Sequence, residues 1–237
     1  MTNASGVYKD SPRGRITRGT LSRDAVVEAG CHLADAEGLD AVTMRAVAGR
    51  LGCKPMSLYR HIANKEELLD ALVERVFTEF ELPDPTQPDW RAELRRRAGS
   101  VRQVLVRHPW ALLLLETRTG PHRPVTFTHA EAVLATLVGA GCSARMAARA
   151  FVTLDSYVYG FALQEITMAS TNPDDTVNRN IAAALQPYPT MVAVMEAVTS
   201  EADYDFGAEF GVGLELVLDG IQRWRDETAS QSELACP

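Results

Sequence analysis

Apolar residues in this chain recur every three or four positions, and sustained apolar–polar alternation is absent. That period suits one face of an α-helix and not the pleat of a strand. The chain is therefore expected to be all-α, and its wealth of Ala, Leu, Arg and Glu agrees. Apolar residues make up 46% of the 237 positions, enough for a packed core and too many for a disordered chain. The longest aliphatic run, Ala111–Leu115, is far too short to span a bilayer. The first fifteen residues, MTNASGVYKDSPRGR, contain no apolar stretch of the kind a secretory signal needs. Cys31, Cys53, Cys142 and Cys236 form no CxxC pair. Reduced thiols in a cytoplasmic protein, with no membrane partner, are the expectation.

Glycines and prolines divide the helices. Ser22 is placed to cap a first helix, with Leu21 and Val26 as its hydrophobic staple, and Gly38 to end it. Thr43 caps a second, which Gly52 closes. Pro55 opens a short third helix ending near Ile62, where its missing N–H costs nothing. Asn64 and Glu67 make a capping box for a fourth, whose stripe is Leu68, Leu69, Leu72, Val76 and Phe80. The segment ELPDPTQPDW, residues 81–90, carries three prolines and reads as the main boundary. Further helices are expected near 90–107, 109–118, 124–140, 143–169, 188–199 and 203–227. The domains follow: a flexible basic arm over 1–20, a three-helix helix-turn-helix unit over 21–66, a connecting helix and proline-rich linker over 67–89, a helical body over 90–230 and a tail over 231–237.

The charge is split along the chain. Residues 1–65 hold ten Lys and Arg against six Asp and Glu, whereas 66–237 hold fourteen against twenty-five. A basic head on an acidic body suits an anionic partner. The short helix in KPMSLYRHIANK, residues 54–65, explains which. Leu58 and Ile62, four apart, fasten it to a core, and the rest of its surface stays polar and cationic. The second helix of a helix-turn-helix unit lies in the major groove of duplex DNA and needs such a surface. Arg60 suits guanine or phosphate, Ser57 either, and Pro55 and Met56 a thymine methyl; Tyr59, His61 and Lys65 suit backbone phosphates. Arg13, Arg15 and Arg18 lie among glycines in the arm, as in segments that enter an adjacent minor groove.

The stretch GLDAVTMRAVAGRLGCKPMSLYRHIANKEELLDAL, residues 38–72, resembles the DNA-binding head of the TetR family of transcriptional regulators. The match runs through Gly38-Leu39, Thr43, Arg45, Val47-Ala48, Leu51-Gly52, Leu58-Tyr59, His61, Asn64-Lys65 and Leu68-Leu69. The resemblance implies an all-α homodimer on a palindromic operator, usually a repressor that a small ligand releases. By position it implies DNA contacts from Arg45, Pro55, Met56, Ser57, Tyr59, Arg60 and His61, with Lys65 on phosphate. Met44 stands where many members carry a small polar residue, and Ile62 where phenylalanine is common. RHPWALLLLETRTGPHRP and SARMAARAFVTLDSYVYGFALQE resemble the C-terminal half of the tetracycline-repressor subgroup.

Helices 143–169 and 203–227 are apolar on more than one face, which a surface helix does not need. Two from each protomer would make a symmetric four-helix interface. An effector pocket is expected between the remaining helices. Its candidates are Trp110, Leu113, Leu114, Thr117, Phe127, Leu134, Tyr157 and Phe161, with Asp155, Gln164 or Glu165 as polar anchors. His108, His122, His129 and Glu116 match no standard metal spacing, so neither metal nor cofactor is expected. GxSxG, HExxH, P-loop and GxGxxG motifs are absent, which disfavours an enzyme.

Overall fold

The computed structural model describes residues 21–118, 124–170, 184–185, 187–199 and 205–234, without the side chains at 116–118, 170, 198–199, 229 and 231–234. Among them are ten α-helices and no strand. The helices are α1 (Arg23–Glu37), α2 (Met44–Arg50), α3 (Pro55–Leu58), α4 (Lys65–Phe77), α5 (Trp90–Arg107), α6 (Pro109–Arg118), α7 (Pro124–Gly139), α8 (Ala144–Ser170), α9 (Pro189–Thr199) and α10 (Glu209–Leu234). No helix among the described residues is long and apolar enough to cross a membrane. The chain forms two compact units that divide between Arg75 and Val76, near the end of α4 and ahead of the proline-rich stretch.

In the first unit the caps are the ones the sequence spells. Ser22 Oγ accepts from Ala25 N–H, and Thr43 Oγ1 from Ala46 N–H, each at 3.1 Å. Asn64 Oδ1 accepts from Glu67 N–H at 2.8 Å, while the Glu67 carboxylate reaches back to Ala63 N–H at 2.7 Å. These bonds satisfy donors that a helix start leaves open. Gly52 turns the chain between α2 and α3 at φ +65°, a conformation side chains resist. A Cβ there would meet nothing within 4 Å, so backbone conformation, not space, selects glycine. Gly30 has the opposite reason: its Cβ would lie 3.0 Å from Leu72, because α1 and α4 cross closely. The core is Val26, Leu33, Val47, Leu58, Ile62, Leu68 and Leu72, all at 4% exposure or less.

The α3 helix stops at Leu58, earlier than the expected end near Ile62. Both His61 N–H and Ile62 N–H return to the Leu58 carbonyl, so the last turn tightens and unwinds there. The proline-rich stretch is a built turn. Asp84 accepts from Thr86 N–H at 2.9 Å, from the Thr86 hydroxyl at 2.7 Å and from Gln87 Nε2 at 3.0 Å.

The second unit is layered around α8, which packs on α5, α6, α7 and α10. Its buried stripe is Met146, Ala150, Leu154, Val158 and Ala162. On α5 the matching stripe is Leu94, Ala98, Val101 and Leu105, with Arg97 set into it at 2% exposure. The α10 helix begins later than expected, at Glu209, after a 3₁₀ turn over Phe206–Ala208 whose start Asp205 caps. It runs past the expected end because no glycine or proline interrupts residues 225–234. Phe210, Leu214, Leu218 and Ile221 are its buried face, Leu218 fully so. Arg91 and Arg95 of α5 clasp Glu215 and Asp219 of α10 at 2.6–2.8 Å.

Candidate functional site

In the first unit, helices α2 and α3 present one exposed surface. Met56 is 74% exposed and Tyr59 46%, while Leu58 and Ile62 beside them are sealed in the core. Arg45, Pro55, Arg60 and Lys65 are also exposed, and Ser57 and His61 are half-buried on its flank. An apolar methionine held in water and flanked by cations is poor design for stability alone. The charges agree. Arg23 and Arg75, on α1 and α4, reach Glu74 and Glu28 at 3.7 and 3.8 Å. Arg45, Lys54, Arg60 and Lys65 make no ion pair among the described residues. Cations left unpaired in water are available to phosphates. Arg13, Arg15 and Arg18 lie outside the described residues.

The second unit contains a cavity of about 330 Å³. Phe77, Phe127, Phe151 and Tyr159 supply aromatic lining, and Arg97, His129 and Asp155 supply the charged and polar groups. Arg97 donates through one terminal nitrogen to Asp155 Oδ1 at 2.6 Å, joining α5 to α8. Its Nε has no partner, nor has His129 Nδ1, and both atoms are buried. The His129 ring packs against Phe77 and Phe80 at centroid distances of 5.2 and 5.7 Å. Burial pulls its pKa down from 6.5 to about 4, the Arg97 charge adds to this, and a hydrogen bond to the Phe77 backbone opposes it. The imidazole is therefore neutral near neutral pH.

Of the residues the sequence nominated for a pocket, Phe127 and Asp155 line this cavity. Trp110 and Leu114 are core, Leu134 is half-buried, and Leu113 and Gln164 face solvent. The Thr117 side chain lies outside the described residues. Tyr157 and Phe161 instead pack toward α10: Tyr157 donates to the Phe210 carbonyl at 2.7 Å, and Phe161 stacks on Phe206 with centroids 4.7 Å apart. Gly213 makes room for that tyrosine, since a Cβ there would collide with its ring. Glu165 is held by Arg102 at 2.6 and 2.7 Å. Sequence reasoning missed Arg97, though a signal existed. It lies three residues after Leu94 and four before Val101, on the apolar stripe of α5. His129 carries the same signal, four residues before buried Val133. Among the described residues, no group of three or more His, Cys, Asp and Glu is arranged to hold a metal.

Two family models match the chain: bacterial regulatory proteins of the tetR family over residues 26–72, and the tetracyclin repressor-like C-terminal domain over residues 82–225. The HTH-type transcriptional repressor DrrR1 of Streptomyces coeruleorubidus is 35% identical over 217 residues, covering 86% of this chain and 78% of the repressor. The class A tetracycline repressor from transposon 1721, from Escherichia coli, is 31% identical over 208 residues, covering 86% and 92%. Among solved structures, Streptomyces coelicolor ActR in complex with actinorhodin superposes with a TM-score of 0.71 at 26% identity, covering 86% of this chain and 98% of ActR.

Proposed function

The chain belongs to the TetR family of bacterial regulatory proteins, with its tetracycline-repressor-like C-terminal domain, and from that premise we propose how this member works. It is a DNA-binding transcriptional repressor that responds to a ligand. Two copies sit on a palindromic operator, with one α3 in each of two successive major grooves. Such half-sites lie about 34–36 Å apart, one turn of the duplex. A small, largely hydrophobic molecule enters the aromatic cavity of each second unit and favours a state that holds DNA less well. The coupling equals the difference in ligand affinity between the two states and acts equally in both directions.

The observation that carries this reading is the contrast within the first unit: Met56 is 74% exposed, the cations around it are unpaired, and the arginines on α1 and α4 are paired. Arg60 then reads a guanine edge or grips phosphate, and Lys65 grips phosphate. The complex of ActR with actinorhodin supports a ligand-responsive reading, and a cavity of suitable size supports the second unit as the place where a ligand acts. A regulator that binds DNA constitutively would have no use for an aromatic-lined cavity. For pairing, α8 exposes Val152 and Leu163 at 61% and 52%, and α10 exposes Val212 and Leu216 at 60% and 71%. Four such residues on two adjacent helices suit a self-complementary interface.

Retention of DNA from upstream of the protein's own gene tests the reading. Arg60→Ala should weaken binding about tenfold or more, as the loss of a base or phosphate contact does. Arg75→Ala, which removes a cation already paired with Glu28, should leave binding near that of the parent. Equal effects from the two would remove Arg60 from the interface.

A further inference from the structure

We infer that Met56 selects a thymine: its side chain packs on the C5-methyl group of a base in the major groove, so each operator half-site carries a T·A pair facing the first turn of α3. This deepens the DNA-binding reading above and rests on it. Met56 is 74% exposed, more than any other large apolar side chain among the described residues. Its projection is fixed from both sides. Pro55, the first residue of α3, locks its own φ and so sets the turn that carries Met56. Leu58, two positions on, is fully buried, and Ile62 is 1% exposed. Two helical positions rotate the side chain by about 200°, so an inward Leu58 turns Met56 outward.

Charge selects the partner, and chemistry selects the group on it. Lys54 stands just before the helix and Arg60 just after it, and neither makes an ion pair among the described residues. A protein face would meet two unneutralised charges around a single apolar side chain. A duplex meets the charges with phosphates and leaves the base edges for the side chain between them. Most of those edges are hydrogen-bonding atoms, for which a thioether is a poor partner. The apolar group that the major groove displays is the thymine methyl. Methionine, unbranched and polarisable, adapts its shape to such a target. Position agrees: recognition helices read bases with their N-terminal residues, and Met56 is the second residue of α3. Tyr59 keeps helical dihedrals, φ −64° and ψ −11°, so Arg60 follows Met56 four positions on along one side.

The test compares two preparations of the fragment upstream of the protein's own gene, one with thymine and one copied with uracil at every thymine position. Uracil lacks the methyl and keeps the hydrogen-bonding edge. The full-length parent should hold the uracil DNA about fifteenfold less tightly, roughly fourfold from each of two half-sites, the worth of one buried methyl. Met56→Ala should hold the two DNAs alike. Met56→Leu, which restores an apolar tip, should recover the preference. Both variants should keep the parent's melting temperature, because an exposed side chain leaves the core untouched. Equal retention of the two DNAs by the parent overturns the proposal and leaves the repressor reading standing, as does a full preference for thymine surviving in Met56→Ala. A parent that retards neither DNA sinks the repressor reading, and this one with it.

Discussion

His129 and Glu215 place two acid sensitivities in different pH windows. For His129 the folded pKa of about 4 lies below the ordinary 6.5. Between those values the unfolded chain binds a proton that the folded chain refuses, so stability falls as pH drops through that range and is fully present above it. The contribution is roughly 3 kcal/mol. Glu215 is held down to about 2 by its hydrogen bonds with Arg95 and Arg91. What it contributes is present above the ordinary carboxylate range and lost as pH falls toward 2; its side chain is 40% exposed, so solvent screens much of it. Chemical denaturation of His129→Phe should therefore lose the slope between pH 6.5 and 4 and keep the loss at lower pH. A parent protein with flat stability over the upper window would contradict the buried, neutral ring. Residue-scale chemistry of this kind was only half legible. Phe127 and Asp155 were nominated from their helices, but Arg97 and His129 take their meaning from neighbours far along the chain. An arginine within RRR is read by default as a solvated charge, and only the i, i+3 and i+4 positions of Leu94, Ala98 and Val101 place it inward.

Helices and turns of the first unit were legible because their instructions are local. Ser22, Thr43 and Asn64 each bond an N–H three residues on, and Gly38 and Gly52 take positive φ where the chain must turn. Two glycines three positions apart give a paired check. Gly52 has φ +65°, whereas Gly49 lies within α2 and its Cβ would meet nothing within 4 Å. Gly52→Ala should lower stability by about 1–2 kcal/mol through a left-handed backbone, and Gly49→Ala should raise it by roughly 0.5–1 kcal/mol. Thermal or denaturant midpoints measure both, and a shared sign would contradict the turn geometry. Ends set by tertiary packing were less readable. The α3 helix stops at Leu58 because two N–H groups compete for one carbonyl, and α10 continues because nothing in its sequence stops it.

At the scale of the whole molecule, composition announced an all-helical chain and charge announced a basic head, while the division after Arg75 did not fall in the proline-rich stretch that punctuates the sequence. Prolines mark where a helix cannot continue, not where compact units part; here Asp84 folds them into a hydrogen-bonded turn. Association belongs to this scale as well. Leu216→Glu, at a position 71% exposed in one copy, should leave the fold intact and shift sedimentation from dimer to monomer, with DNA retention falling in step. A dimer unchanged by that substitution would move the interface away from α10.

The apolar residues left in water on α8 and α10 also carry a thermodynamic consequence. If a second copy covers them, part of each chain's resistance to heat is supplied by mass action. Dilution should then lower the melting temperature, and a cell holding few copies would hold a more fragile protein than one holding many.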